Sequence, residues 1–156
     1  MKRVKKIDVY LREERVPYLE SEDTNIYVEE DTKVSDPEVL YDLAQKTRLP
    51  EKAQENVLLV MLDAAMHVIS LMDVTKGSVN ASMFPAREIC QAALLAGAVN
   101  VALIHNHPSG DVTPSSTDVQ STKRMKESLN MVEISLVEHL IVSRNNYYSM
   151  RENKLF

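Results

Sequence analysis

The sequence predicts a single α/β domain in which a central mixed β-sheet is flanked by helices. The stretches "ENVLLVMLD" (55–63) and "AVNVALIHNH" (98–107) carry runs of consecutive apolar residues, which are typical of strands covered on both faces. Segments with helix start and stop residues alternate with these strands, and this order is that of an α/β fold. A length of 156 residues suits one domain with a real core.

Residues 1–34 are predicted to form an N-terminal strand and a connecting segment. Ile7, Val9 and Leu11 alternate with polar neighbours, as in a half-exposed strand. The stretch "SEDTNIYVEEDTKV" (21–34) is polar and acidic, so we expect a connection there.

Residues 35–156 are predicted to form the main part of the domain. It begins with a helix that is capped by Ser35 and has Pro37 in its first turn. A second helix starts near Pro85 and stops at Gly97. The other predicted elements are strand 55–63, its hairpin partner 67–75, strand 98–107, helix 117–130, and a closing hairpin of 133–143 with 146–150.

Composition limits the classes of function. A formal net charge of -5 disfavours a large nucleic-acid surface, although the basic start "MKRVKKI" is a local exception that reads as a solvated tail or a phosphate-contacting arm. The single cysteine, Cys90, excludes an internal disulfide framework and a cysteine-based zinc cluster. No apolar run is long enough to span a membrane and no signal peptide is recognisable, so we expect a cytoplasmic protein.

The stretch "HNHPSGDVTPSSTD" (105–118) carries the strongest chemical signal. His105 and His107 project from the same face at the end of a strand, where both rings can reach one ion. Asp118 lies in the first turn of the following helix and can point back at them. Three protein ligands with a fourth position open for water are the pattern of a catalytic zinc site.

Each part of this stretch also has a purely structural interpretation. Ser115 and Asp118 match a capping box, in which both side chains satisfy backbone donors at the helix start. Two histidines separated by one residue are by themselves a weak signal. The joint spacing is far more specific, because the histidine pair, Ser115 and Asp118 occur together between a buried strand and a helix.

These residues resemble the metal motif of the JAMM (MPN) metalloproteases: an upstream Glu, then His-x-His, seven residues, Ser, two residues and Asp. The form "HNHPSGD" followed by "PS" and Asp resembles the bacterial RadC-type branch in particular. The stretches "ENVLLVMLD", "KGSVNASMFPAREICQAALLAGAVNVALIHNHPSG", "DVQSTKRMKESLNMVEISLVEHLIVS" and "YYSMRE" resemble that branch in order and spacing, over roughly residues 35 to 152. The resemblance implies a single-domain MPN fold of the cytidine-deaminase-like type.

The resemblance also implies roles for individual residues. His105, His107 and Asp118 would be the ligands of Zn²⁺. Glu55 would be the general base, with Glu51 as a nearby competitor for that role, and Ser115 would stabilise the oxyanion. His139 falls where the branch has an Asp-His pair, but Glu138 replaces the Asp, so we leave both out of the predicted site.

The function implied by the resemblance is that of a zinc-dependent metallopeptidase or isopeptidase, in which metal-activated water attacks an amide carbonyl. A peptide or protein is the expected partner, with no membrane contact, and a homo-oligomer is compatible with the sequence. One alternative is an accessory protein of DNA repair that associates with nucleic acid. It has less support, because residues 1–34 are too few and too acidic for the helix-hairpin-helix region that such proteins often carry. The other alternative is a non-catalytic interaction domain that the metal stabilises.

Overall fold

A computed structural model describes residues 1–76 and 84–156, which form a seven-stranded mixed sheet and three α-helices. Part of one stretch quoted above for its resemblance, residues 77–83, lies outside the described residues. The strands are β1 (Lys2–Leu11), β2 (Pro17–Val28), β3 (Asn56–Leu62), β4 (Val68–Lys76), β5 (Asn100–Asn106), β6 (Ser135–Val142) and β7 (Tyr147–Ser149). The helices are α1 (Pro37–Lys46), α2 (Ala86–Leu95) and α3 (Ser116–Asn130), and a short 3-10 helix spans Leu49–Glu51.

The strands are ordered β2-β1-β4-β3-β5-β6-β7 across the sheet. β1 runs parallel to β4 and β5 runs parallel to β6, whereas the other neighbouring pairs are antiparallel. Every residue of β3 is buried, and β5 is buried after its first residue, as their apolar runs predicted. The predicted α/β class with a central mixed sheet is therefore confirmed.

Helices cover both faces of the sheet. α1 packs Leu40, Leu43 and Ala44 against one face. α2 and α3 cover the other face, where Ile89 and Met125 join the core. Because side chains alternate along a strand, those of β5 face the α1 layer and the layer of α2 and α3 in turn. The carboxyl end of β5 therefore has side chains on both faces of the sheet.

The predicted connection over 21–34 is wrong for residues 21–28, which belong to β2. This strand lies at the edge of the sheet and pairs with β1 through its backbone. Half of its residues are exposed and none is fully buried, although Ile26 and Val28 near its end pack against the core. Strands β1 and β2 extend the sheet beyond β4.

The helix ends follow local capping rules with one correction. Asp36 caps α1 in place of the predicted Ser35, because its carboxylate accepts hydrogen bonds from the backbone N–H groups of Glu38 and Val39. Gly97 follows α2 with a φ of 68°, a conformation that favours glycine at this position. Within residues 1–76 and 84–156, no helix combines the length and apolarity needed to cross a membrane.

Candidate metal centre

The carboxyl end of β5 places the two histidines of the motif. His105 is the penultimate residue of the strand and only 3% exposed, and it faces the layer formed by α2 and α3. His107 follows the strand directly, and its backbone N–H donates to the carbonyl of Val142, which extends the pairing with β6. The Nε2 atoms of the two rings lie 2.9 Å apart, so both rings point at one place.

A capping box at the start of α3 places Asp118 against the histidines. The Asp118 backbone N–H donates to Ser115 Oγ at 3.1 Å, and the Ser115 backbone N–H donates to Asp118 Oδ2 at 2.7 Å. The Ser115 hydroxyl donates to the same oxygen, also at 2.7 Å. The capping interpretation of Ser115 and Asp118 is confirmed, and the same contacts hold the Asp118 carboxylate towards the end of β5.

His105, His107 and Asp118 together have the donor set of a metal site. Asp118 Oδ1 lies 3.6 Å from His105 Nε2, and its Oδ2 lies 3.6 Å from His107 Nε2. One atom from each residue falls within a group that spans no more than 4.8 Å. Ligand atoms of a tetrahedral zinc ion lie about 3.4 Å apart, given bonds of about 2.0 to 2.1 Å. The shortest separations between the three residues bracket this value, and one donor atom from each residue stays within 4.8 Å of the others, so the residues fit such an ion.

The remaining nitrogen of His107 has a partner that defines its tautomer. Nδ1 lies 2.7 Å from the carbonyl oxygen of Asp111, in the loop between β5 and α3. Because a carbonyl can only accept, Nδ1 carries a hydrogen and donates it. Nε2 is then left to face His105 and Asp118 with its lone pair when the ring is neutral, as metal binding requires.

The charges in the site shift the pKa of each group. The Asp118 carboxylate, 3.6 Å from Nε2, raises the pKa of His107 above 6.5, and the charge of Glu55 adds to this effect. Burial lowers the pKa of His105 to about 4. Burial alone would raise the pKa of Asp118, but its contacts with His107, His105 and Ser115 bring that pKa well below its ordinary value. Asp118 is therefore a carboxylate, and His105 is neutral at pH 7.

The two candidate bases differ in their surroundings. Glu55 is exposed immediately before β3, and its charge acts on the ring of His107. Glu51 lies in the short 3-10 helix and accepts hydrogen bonds from the guanidinium of Arg48 at 2.6 and 2.9 Å. That hydrogen bonding lowers the pKa of Glu51 and commits its carboxylate to Arg48. The arrangement favours Glu55 over Glu51 as the base.

His139, which we left out of the predicted site, contacts one of the predicted ligands. Its Nε2 lies 2.6 Å from His105 Nδ1, and its Nδ1 lies 2.6 Å from Thr122 Oγ1. Glu138 turns to the other face of β6, where its carboxylate accepts a hydrogen bond from the Ser149 hydroxyl at 2.6 Å. Glu138 thus has no part in the ring contacts of His139. The presence of Glu in place of Asp at position 138 is therefore no reason to leave His139 out of the site.

Comparisons with known proteins agree with this geometry. A family model described as a RadC-like JAB domain matches residues 34–155. A UPF0758 protein of Clostridium beijerinckii is 37% identical over 128 residues, which are 82% of this chain and 56% of that protein. A UPF0758 protein of Chlorobaculum parvum is 36% identical over 108 residues, covering 69% and 49%, and one of Clostridium perfringens is 40% identical over 102 residues, covering 65% and 45%. The chain spans about half the length of these curated relatives.

Proposed function

The chain belongs to the RadC-like JAB domain family, and on this premise we propose that it is a zinc-dependent hydrolase of amide or isopeptide bonds in peptides or proteins. The observation that carries the proposal is the convergence of His105 Nε2, His107 Nε2 and the Asp118 carboxylate. The exposed Glu55 lies two residues before Val57, which pairs with His105 across the sheet. Three such ligands leave a fourth position for water or substrate, which is how catalytic zinc sites differ from structural ones.

His105, His107 and Asp118 would hold the metal, two as neutral rings and one as a carboxylate. A zinc ion bound there would lower the pKa of water at its open position to about 7 and polarise a substrate carbonyl. Two neutral ligands and one anion leave the centre with a net positive charge. The buried side of the site, formed by His105 at 3% exposure, excludes water from the back of the centre.

Glu55 would move the proton in this reaction. Its carboxylate is exposed, and Val57, two residues further along the chain, pairs with His105. From this position Glu55 could accept a proton from the attacking water and return it to the leaving amine. Its negative charge also acts on His107, which places it within electrostatic reach of the centre. We assign the general-base role to Glu55 for these two reasons.

Ser115 would stabilise the charge that develops on the carbonyl oxygen. Its hydroxyl donates to Asp118 Oδ2, so the side chain would have to rotate to reach a substrate. The Ser115 backbone N–H donates to the same carboxylate oxygen and would keep Asp118 in place during that rotation. A hydroxyl freed in this way could serve as an oxyanion donor.

A cavity of about 570 Å³ next to His107 offers room for a substrate. It is bordered by the loop after β5, by the segment before β3 and by the turn between β6 and β7, with Lys52, Ser109 and Arg144 among its lining residues. This volume falls in the ordinary range for binding sites. We expect it to hold a short segment of extended peptide on one side of the cleaved bond.

The experiment that tests the proposal compares protein termini in a proteome exposed to the wild type or to Glu55→Gln, each with and without a chelator. We expect new termini with the wild type only, and none with chelator, because the base and the metal are both needed. Glu13→Gln, in the exposed turn between β1 and β2, is the matched control and should cleave like the wild type. If wild-type termini were unaffected by Glu55→Gln and by chelator, the hydrolase proposal would fail and a non-catalytic interaction domain would be favoured.

A further inference from the structure

We propose that His139 and Thr122 are positioning residues that set the tautomer of His105 and tie this ligand to the backbone of Asp118. The inference rests on the metal site of the proposed function, since it concerns which nitrogen of His105 is free to bind a metal. Three contacts of 2.6 Å carry it, and they run from His105 through His139 and Thr122 to the Asp118 carbonyl oxygen.

The Thr122 hydroxyl gives this chain of hydrogen bonds its direction. Its Oγ1 lies 2.6 Å from the carbonyl oxygen of Asp118, one turn earlier in α3. A carbonyl can only accept and a hydroxyl has one hydrogen, so that hydrogen points at Asp118. The sulfur of Met150, 3.7 Å away, is a weaker and more distant acceptor. Towards His139 the hydroxyl therefore offers a lone pair.

His139 in turn determines which ring nitrogen of His105 carries a hydrogen. Its Nδ1 must carry a hydrogen in order to donate to Thr122 Oγ1, so the Nε2 of the neutral ring is an acceptor. That Nε2 lies 2.6 Å from His105 Nδ1, which consequently carries a hydrogen and donates it. The lone pair of His105 is then on Nε2, the atom that faces His107 and Asp118.

Burial prevents water from replacing any link of the chain. His139 and Thr122 are 0% exposed, and the Phe84 ring packs edge-on with the His139 ring at a centroid distance of 5.3 Å. Neither ring partner of His139 is charged, and a buried imidazolium without an anion is costly, so the ring is neutral. If these hydrogen bonds ran in the opposite direction, the Thr122 and Asp118 oxygens would face each other without a hydrogen between them. A hydrogen would then also lie on His105 Nε2.

The contacts also join two of the ligands through three elements of the fold. His105 lies on β5, His139 on β6, and Thr122 and Asp118 on α3. A displacement of α3 would therefore change the position of His105 as well as that of Asp118. Partners of this kind, which orient a metal-ligating histidine, are typically worth 10- to 100-fold in metal affinity.

Thr122→Val and Thr122→Ser form the test, because valine has nearly the same shape without the hydroxyl and serine restores it. The readouts are the ¹⁵N shifts of the imidazoles in the metal-free protein, in mildly alkaline buffer, and the Kd for zinc by chelator competition. We expect His105 and His139 to be Nδ1–H tautomers in the wild type and in Thr122→Ser. In Thr122→Val the hydrogen should move to Nε2 in both rings, and zinc should bind about 10- to 100-fold more weakly.

Two results would overturn the inference. One is an Nε2–H tautomer for His139 in the wild type, which needs no variant and stands even if Thr122→Val fails to fold. The other is a folded Thr122→Val protein with unchanged tautomers and unchanged zinc affinity. Failure of the proposed function is distinguishable, because a wild type that has the expected tautomers but cleaves nothing would support the positioning role and count only against the hydrolase.

Discussion

The side-chain oxygen of Asn106 accepts a hydrogen bond of 2.7 Å from the backbone N–H of Asn56, the residue that follows Glu55. The amide nitrogen of Asn106 donates to the carbonyls of Lys52 and Gln54 at 3.2 and 3.0 Å. Asn106 is 0% exposed and lies between the two histidines in sequence, on the opposite face of β5 from His105. One buried side chain thus holds the segment that carries the proposed base against the strand that carries the proposed ligands.

Replacing Asn106 with leucine should therefore remove activity while leaving the metal in place. The Asn56 N–H and the Lys52 carbonyl would lose this partner, whereas the Gln54 carbonyl keeps a hydrogen bond of 2.8 Å from the Asn56 side chain. Each buried group left unsatisfied costs about 1 to 3 kcal/mol in the free energy of unfolding. Without this anchor Glu55 would lose its position, whereas His105, His107 and Asp118 keep their own contacts. Cleavage rate, zinc content and thermal unfolding would be measured together.

Asn100→Leu is the matched control for that variant. Asn100 begins the same strand and donates one hydrogen bond to the Asp63 carbonyl at 3.0 Å, far along β5 from the histidines. We expect a loss of stability with normal activity. Equal loss of activity in the two variants would argue that Asn106 acts only through the stability of the fold.

His107→Ala should abolish zinc binding, because two remaining ligands do not complete the site. The purified wild type should hold about one zinc ion per chain, measured by elemental analysis. His67→Ala serves as the control, since His67 pairs with Asp63 at 3.1 Å and lies outside the group of potential ligands. Equal zinc content in the His107→Ala protein would remove the site assignment.

Zinc affinity should rise with pH until the pKa of His107 is passed. That pKa is raised above 6.5 in the folded, metal-free protein, and the metal needs the neutral ring, so a proton must leave on binding. His105, with a pKa of about 4, is already neutral and releases none. Calorimetry in buffers of different ionisation enthalpy should find about one proton released per zinc below that pKa. Release of none would contradict the pairing of His107 with Asp118.

The contribution of His107 to the stability of the metal-free protein should follow the opposite trend over the same range. A raised pKa means that protonated His107 stabilises the fold, fully below the unfolded pKa of about 6.5 and no longer above the folded pKa. The carboxylate of Asp118 acts at lower pH, because its depressed pKa gives stability that is lost only as pH falls below about 4. Denaturant unfolding across the pH range, with and without zinc, measures both effects. Because burial lowers the pKa of His105 and makes stability rise with pH around 6.5, the contribution of His107 is taken as the difference in unfolding free energy between the wild type and His107→Ala. A difference that grew as the pH rose through the titration of His107 would contradict this sign.

Ser115→Ala should reduce both stability and activity, and the two losses have different origins. Loss of the cap should cost about 1 kcal/mol of unfolding free energy. Loss of an oxyanion donor should lower kcat by about 10²- to 10³-fold. Asp36→Ala removes the cap of α1, which lies outside the site, and should show the first loss without the second. If Ser115→Ala cleaved as fast as Asp36→Ala, Ser115 would have only its capping role.

The strands and helices around the site could be predicted because their signals are local. The apolar run of β3, the cap at Ser115 and the stop at Gly97 each act within a few residues. The edge strand β2 could not be predicted in this way, because its pairing with β1 needs no apolar pattern. The capping residue of α1 was missed by one position, since Ser35 and Asp36 are both good caps and only the backbone geometry distinguishes them.

The predicted metal ligands could be identified from the sequence, but the residues that hold them in position could not. Strand period and helix capping are short-range properties, so the amino-acid pattern alone predicts that His105 and His107 share a face and that Asp118 lies at the start of the next helix. The fold was needed to reveal that His139, 34 residues from His105, contacts its ring, and that Asn106 anchors residue 56, 50 residues away. Such contacts depend on the pairing of β5 with β3 and β6, and no local pattern encodes which strands become neighbours.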